Sequence, residues 1–187
     1  QKKVYFTRNN FNKDLGRDDN GVNHLKLYSA ELSDSLKGKR EWTNIKELPF
    51  NSEDYSVGHP TVSLDGKKLY FVSDMPGGIG ATDIFVVDIL GEDNYSSPKN
   101  LGPTVNTSGR EMFPYITNKS LYFASDGHLG LGGLDVFESS LTTETFQEPT
   151  NLGAPLNSEL DDFGFIIKEE EAVGFVCSNR ETGKGDD

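Results

Sequence analysis

Four aspartates stand where a hard cation could be held. Asp74 and Asp126 each follow a serine, and Asp83 and Asp135 each lie past a glycine-rich stretch. Calcium takes about six to eight oxygen donors, and carboxylates with the carbonyls of a tight loop can supply them. The same side chains have a second use: an aspartate in a short loop accepts hydrogen bonds from nearby backbone N–H groups and so holds the turn. Recurrence of the four in matched pairs favours that structural use, and no run has the D-x-[DN]-x-[DN]-G spacing of an EF-hand.

Other groups capable of chemistry are scattered. The runs Pro76-Gly77-Gly78-Ile79-Gly80 and Gly127 to Gly133 superficially resemble phosphate cradles, but a cradle needs a helix start to orient its N–H donors, and a strand pattern follows each. His24, His59 and His128 lie 35 and 69 residues apart, without zinc-type spacing, and read as loop or edge positions. No G-x-S-x-G nucleophile elbow occurs. Cys177 is the single cysteine, so no internal disulfide forms, and its place in an apolar strand reads as a buried, inert thiol. Trp42 stands six residues before Leu48, as Tyr95 does before Leu101 and Phe146 before Leu152, which reads as an aromatic required for packing. The sequons at Asn94, Asn106 and Asn118 are within what an Asn-, Ser- and Thr-rich chain produces by chance. These observations assign no catalytic residue, no cofactor and no metal, and leave Asp74, Asp83, Asp126 and Asp135 as the calcium candidates.

The elements that carry these residues repeat. Tyr5, Tyr70, Tyr122 and Phe175 each centre an apolar-aromatic-apolar-small run, at steps of 65, 52 and 53 residues. Asn100-Leu101-Gly102 returns as Asn151-Leu152-Gly153, each followed by Asn-Thr or Asn-Ser, and Asp83-Ile84-Phe85 returns as Asp135-Val136-Phe137. The period is about 52 residues, and the longer first step reflects insertions over Asn9 to Asn23 and Leu32 to Lys39. Each repeat reads as four short strands, in the second His59 to Ser63, Lys68 to Ser73, Asp83 to Leu90 and Lys99 to Leu101. The Asp65-Gly66 turn joins the first two as a hairpin.

Tandem four-stranded units of this length predict an all-β chain, a β-propeller fragment of about 3.5 antiparallel blades. The expected blades are residues 1–57 (lacking the first strand), 58–110, 111–160 and 161–187, the last with two strands. The chain begins without Met or leader and reads as part of a longer protein, whose other strands complete the sheets.

Composition excludes several roles. A net charge of −12 repels phosphate backbones, and the densest basic cluster, Lys37, Lys39 and Arg40, sits among Gly and Ser, so nucleic acid is not an expected partner. No apolar run reaches the length of a membrane-spanning helix.

Three runs carry a family resemblance: Leu64 to Asp74, Asp83 to Asp88, and Ser178-Asn179-Arg180 leading to Gly183-Lys184-Gly185-Asp186-Asp187. They resemble the PD40 (WD40-like, TolB-type) repeat. With the Asn-Leu-Gly…Asn-Thr/Ser link, the chain is similar to the propeller region of OmpA-family lipoproteins of Bacteroidetes cell envelopes, PorE-like proteins among them. The resemblance implies a periplasmic protein associated with the outer membrane, in an assembly serving type IX secretion or gliding motility. Its partners would be other envelope proteins, with peptidoglycan reached only through a flanking OmpA-like domain that these residues do not contain. The expected role is a non-catalytic protein-binding scaffold. The alternatives are the propeller of a hydrolase, or a glycan- or calcium-binding module.

Overall fold

The computed structural model describes residues 2–12, 14–34, 39–143 and 145–181. The terminal run 183–187, where the repeat approaches a further strand, and Lys37 of the basic cluster lie outside them. The described chain is all-β, without a helix.

Four antiparallel sheets succeed one another along the sequence. The first contains β1 (Lys2–Asn9), then, past a short hairpin of β2 (Phe11–Asn12) and β3 (Asp14–Leu15), β4 (Leu25–Asp34) and β5 (Arg40–Glu47), in the order β1-β4-β5. The second comprises β6 (Val57–Val62), β7 (Lys68–Ser73) and β8 (Asp83–Gly91), with β9 (Asn94–Tyr95) and β10 (Lys99–Asn100) both on the outer side of β8. The third repeats this plan with β11 (Glu111–Ile116), β12 (Ser120–Ser125), β13 (Asp135–Thr142), β14 (Thr145–Phe146) and β15 (Thr150–Asn151). The fourth is the hairpin of β16 (Asp162–Lys168) and β17 (Val173–Ser178).

The outer strand departs from the sequence reading. In the second and third sheets it is broken in two, at Ser96-Ser97-Pro98 and Gln147-Glu148-Pro149. Proline has no N–H to give the ladder, so pairing stops there and resumes after it. The first sheet has no proline at that place, and β5 runs unbroken, absorbing a register shift near Asn44, whose φ is 52°.

Cores lie between consecutive sheets. Leu27, Leu48 and Phe50 of the first meet Leu69, Phe71, Phe85 and Val87 of the second, with Phe50 stacked on Phe71 at 4.8 Å. Tyr70, Val72 and Ile84 then meet Ile116, Leu121, Phe123 and Phe137 of the third, and Tyr122 and Val136 meet Phe165 of the fourth.

A side-chain clasp explains the Asn-Leu-Gly…Asn pattern. Beyond the end of β10, the Ile84 carbonyl still accepts from Leu101 N at 3.1 Å, but its N–H has no backbone partner. The Asn106 amide completes the set, accepting from Ile84 N at 2.8 Å and donating a second hydrogen bond to the carbonyl at 3.0 Å. Asn157 does the same for Val136 at 2.8 and 2.9 Å, and Asn51 for Leu27 at 2.9 and 2.8 Å. Asn100 and Asn151 fix the intervening turn: their Oδ1 atoms accept from Gly102 N at 2.8 Å and Gly153 N at 2.7 Å, and each accepts from the clasping asparagine at 2.8 Å. Gly102 and Gly153 have φ of 86° and 64°, a conformation cheap only for glycine.

Candidate functional site

The first strands of the last three sheets, β6, β11 and β16, share an irregularity. Each slips register against its neighbour, between Gly58 and Thr61, Met112 and Tyr115, and Phe163 and Ile166. At the slip the backbone turns left-handed, with φ of 50° at His59, 51° at Phe113 and 62° at Gly164. Such a conformation strains a non-glycine residue by about 1–3 kcal/mol and persists only where the surroundings enforce it. Pro60 and Pro114 already bar the right-handed helical region to the residues before them.

The rings supply the enforcement. His59 stacks on Phe113 at 4.1 Å and 13°, and Phe113 stacks on Phe163 at 5.0 Å and 30°, a column running across three sheets. His59 N donates to Thr7 Oγ1 at 2.9 Å, tying the column to the first sheet. Phe113 N donates to His59 Nδ1 at 3.4 Å, which places the proton of the neutral ring on Nε2. Burial pushes the His59 pKa below its ordinary value, so the ring is neutral at pH 7.

Beside the column lies a groove of about 230 Å³, lined by His59, Pro60, Phe113, Tyr115, Phe165 and Ile166 among others. Tyr115 and Ile166 also line a larger trough of about 590 Å³ that reaches Val173 and Phe175 of β17. The trough is apolar on its walls and acidic at one end, where the β16–β17 turn carries Glu169, Glu170 and Glu171. Thr117 Oγ1 donates to Glu169 at 3.0 Å, and Lys168 pairs with Glu171. Tyr115 donates its hydroxyl to Ile167 O at 3.0 Å, anchoring the wall.

The trough exists because one position changes surroundings. Tyr70 and Tyr122 are 4% and 7% exposed, each covered by the next sheet along the chain, whereas Phe175 in the same register is 70% exposed. Sequence reasoning missed the site for that reason, since the run around Phe175 looks like any other core strand. The signal that could have found the column is the pair of X-Pro steps at His59-Pro60 and Phe113-Pro114, set in runs that otherwise read as strand.

The calcium candidates are engaged one by one and are not brought together. Asp74 Oδ1 accepts from Ser56 N at 2.6 Å. Asp126 accepts from Arg110 N at 2.6 Å and Nε at 2.8 Å. Burial works to raise the Asp126 pKa, but the Arg110 hydrogen bonds outweigh it and hold the carboxyl below its ordinary value. Asp83 receives Ile79 N, Gly80 N at 3.1 Å and Asn100 Nδ2 at 2.9 Å, while Asp135 receives Leu131 N at 2.6 Å and Gly132 N at 3.1 Å. Among the described residues, no group of three His, Cys, Asp or Glu side chains is placed to hold a metal.

Two buried carboxylates went unnoticed in the sequence. Glu111 accepts from Thr107 N at 2.9 Å, Thr107 Oγ1 at 2.7 Å and Ser125 Oγ at 2.8 Å. Asp162 accepts from Ser158 N at 2.6 Å, Ser158 Oγ at 2.7 Å and Arg180 at 2.7 Å. Each comes four residues after its Thr or Ser, which is the signal that the Asn-Thr/Ser link offered. Burial alone would raise the Asp162 pKa, yet the bonds from Ser158 and Arg180 prevail and lower it.

Several single residues differ from their sequence reading. The histidines do lie in loops (His24, His128) or on an edge strand (His59), yet each is engaged: besides His59, the buried His24 lies 3.2 Å from Asp18 and 3.3 Å from Ser56, and His128 reaches Val105 O at 2.8 Å while packing on Phe123 and Phe137. Cys177 is half-buried, against Gly164 in the slipped part of β16, where a Cβ would come 3.3 Å from its Sγ. Trp42 is 50% exposed. Tyr95 and Phe146 pack toward the preceding sheet, on Tyr5 and Tyr70, and Trp42 has no preceding sheet among the described residues.

No protein-family profile and no curated relative matches the chain. Solved structures that align with the chain include two enzymes. A Mycobacterium tuberculosis puromycin-hydrolyzing peptidase aligns with 87% of this chain and 27% of its own, at 14% identity and a TM-score of 0.47. An α-L-arabinofuranosidase from Lactobacillus brevis aligns with 98% of this chain and 64% of its own, at 15% identity and a TM-score of 0.50. The second likeness concerns the fold alone, and the chain spans less than two thirds of either structure.

Proposed function

We propose that the chain is a run of β-propeller blades, repeating at about 52 residues, that serves as a non-catalytic protein-binding scaffold in the bacterial cell envelope. The observation that carries this reading is where the polar chemistry goes. Asp74, Asp83, Asp126, Asp135, Glu111 and Asp162 all hold loops and strand ends, while the open surface is an apolar trough. The second and third sheets, four strands across with the first strand beside the groove, support the propeller arrangement. Periplasmic placement within an OmpA-type assembly rests on the PD40 resemblance.

An enzymatic reading draws on the arabinofuranosidase likeness. Glycoside hydrolysis needs two carboxylates flanking the scissile bond. Among the described residues the inner groove is lined by none, and the three glutamates of the trough share one surface turn. The scaffold reading therefore leads.

Site-specific photo-crosslinking tests it. A benzophenone side chain at Ile166, introduced in the full-length protein in its native cells, is expected to trap a discrete protein adduct. Absence of any adduct, together with turnover on peptide or arabinoside substrates that is lost in His59→Ala, would establish the enzymatic reading instead.

A further inference from the structure

The outer edge of the first sheet is unlike those of its neighbours. β9–β10 and β14–β15 end the second and third sheets with no strand beyond them among the described residues, and each is cut by a proline. β5 holds the same place, yet it runs through Arg40–Glu47 without a proline, and all eight of its residues are exposed. Its outer edge is a row of backbone N–H and C=O groups that a further strand can satisfy. In the second sheet the additional strand, β6, lies on the far side of β7 from the outer edge. By the same plan a strand beside β1 lies away from β5 and leaves this edge open.

The order of side chains along β5 specifies the strand that fits it. Arg40-Glu41-Trp42-Thr43-Asn44-Ile45-Lys46-Glu47 reads basic, acidic, apolar from one end and acidic, basic, apolar from the other. We propose that β5 pairs antiparallel with β5 of a second copy of this chain, about a twofold axis at Thr43. Arg40 then faces Glu47 of the second copy, Glu41 faces Lys46 and Trp42 faces Ile45, and the symmetry makes each rung twice. A regular strand could not do this, because Arg40 and Glu47 lie an odd number of positions apart and would stand on opposite faces. The bulge in β5 supplies the missing phase. β4 pairs Leu32 with Trp42, Glu31 with Thr43 and then Ser29 with Lys46, so Asn44 and Ile45 together take the place opposite Ala30. Arg40, Trp42 and Glu47 consequently share one face, and Glu41 and Lys46 share the other. Charges that served only to blunt the edge would need no such order. Lys46 also meets Asp93, and Glu47 lies 3.0 Å from Lys26, but both remain half exposed and can take a second opposite charge. At physiological salt the repulsion between two chains of net charge −12 is screened beyond about 8 Å, whereas the paired rungs are in contact.

Sedimentation velocity on the full-length protein tests the pairing. A dimer fraction that grows with concentration, up to about 0.5 mM, is expected, since one added strand makes a small interface. Glu41→Lys sets like charges against Lys46 at two rungs, and Lys46→Glu does the same against Glu41, so each variant alone associates at least about tenfold more weakly. An equimolar mixture of the two variants restores association to within about threefold of wild type, because each Glu41–Lys46 rung then joins opposite charges again. Both side chains are exposed, and an unchanged unfolding midpoint shows that the fold is kept. A wild-type protein that stays monomeric, single variants that associate as wild type does, or a mixture that associates no better than either variant overturns the proposal. The scaffold reading is tested separately, by crosslinking at Ile166 on another sheet.

Discussion

β12 of the third sheet and β17 of the fourth are built to one pattern, Leu121-Tyr122-Phe123-Ala124-Ser125 against Gly174-Phe175-Val176-Cys177-Ser178. They end in opposite circumstances. Tyr122 is covered by Phe165 of the next sheet at 5.2 Å, and its hydroxyl donates to Glu138 of β13 at 3.1 Å. That burial, with the neighbouring carboxylate, pushes its pKa up to about 12. Among the described residues Phe175 has neither cover, and the same face that is core between the second, third and fourth sheets becomes the wall of a trough. Burial in this molecule is set by the neighbouring sheet, not by a strand's own pattern.

The comparison is broken or sharpened most strongly by truncating its two members. Tyr122→Ala empties a position that is 7% exposed and is expected to cost about 3–5 kcal/mol in urea unfolding, whereas Phe175→Ala changes stability by less than about 0.5 kcal/mol. Similar losses from both would mean that the fourth sheet is as closed as the third.

Next in size is the clasp. Asn157→Ala leaves the Val136 N–H unpaired in a buried place and removes one of the two hydrogen bonds to its carbonyl, which Leu152 N also serves, with an expected loss of about 1–3 kcal/mol by the same measurement. Asn106→Ala should match it at Ile84. Wild-type stability in either variant would mean that water or a backbone shift replaces the amide.

Acid then separates the sheets. Asp162 has a folded pKa below its ordinary 3.8, so its contribution is present above that value and disappears as pH falls through the folded one. Asp162→Asn is expected to lose about 1 kcal/mol at pH 7, with the gap from wild type narrowing as pH falls below 3.8, as followed by unfolding midpoints. A gap that stays constant with pH would remove the charge from the explanation.

The smallest effect concerns the ring column. Because burial lowers the His59 pKa from 6.5, the neutral ring is the folded form, and stability is lost as pH falls below about 6.5. His59→Phe keeps the stack on Phe113 and should abolish this component, seen as an unfolding midpoint that no longer falls on this account below pH 6.5. An identical pH profile in both proteins would contradict the assignment.

Much of the architecture was legible in the residues. Alternating apolar runs, Asp65-Gly66 and the recurring Asp-Ile-Phe and Asp-Val-Phe segments point to antiparallel strands close to their observed limits, because these are local signals. The split outer strand needed attention to Pro98 and Pro149. The site was hidden for two physical reasons. The left-handed turn at His59 and Phe113 is held by stacking between rings 54 residues apart, and the local X-Pro steps mark a restricted backbone without saying which rings meet. The exposure of Phe175 depends on the sheet beyond it, which its own sequence does not mention.

Hydrogen–deuterium exchange tests the central contrast most directly. In these 187 residues the amides of Val173–Ser178 are expected to exchange far faster than those of Ser120–Ser125. Equal protection of the two strands would contradict the claim that the neighbouring sheet, not a strand's own pattern, sets its burial.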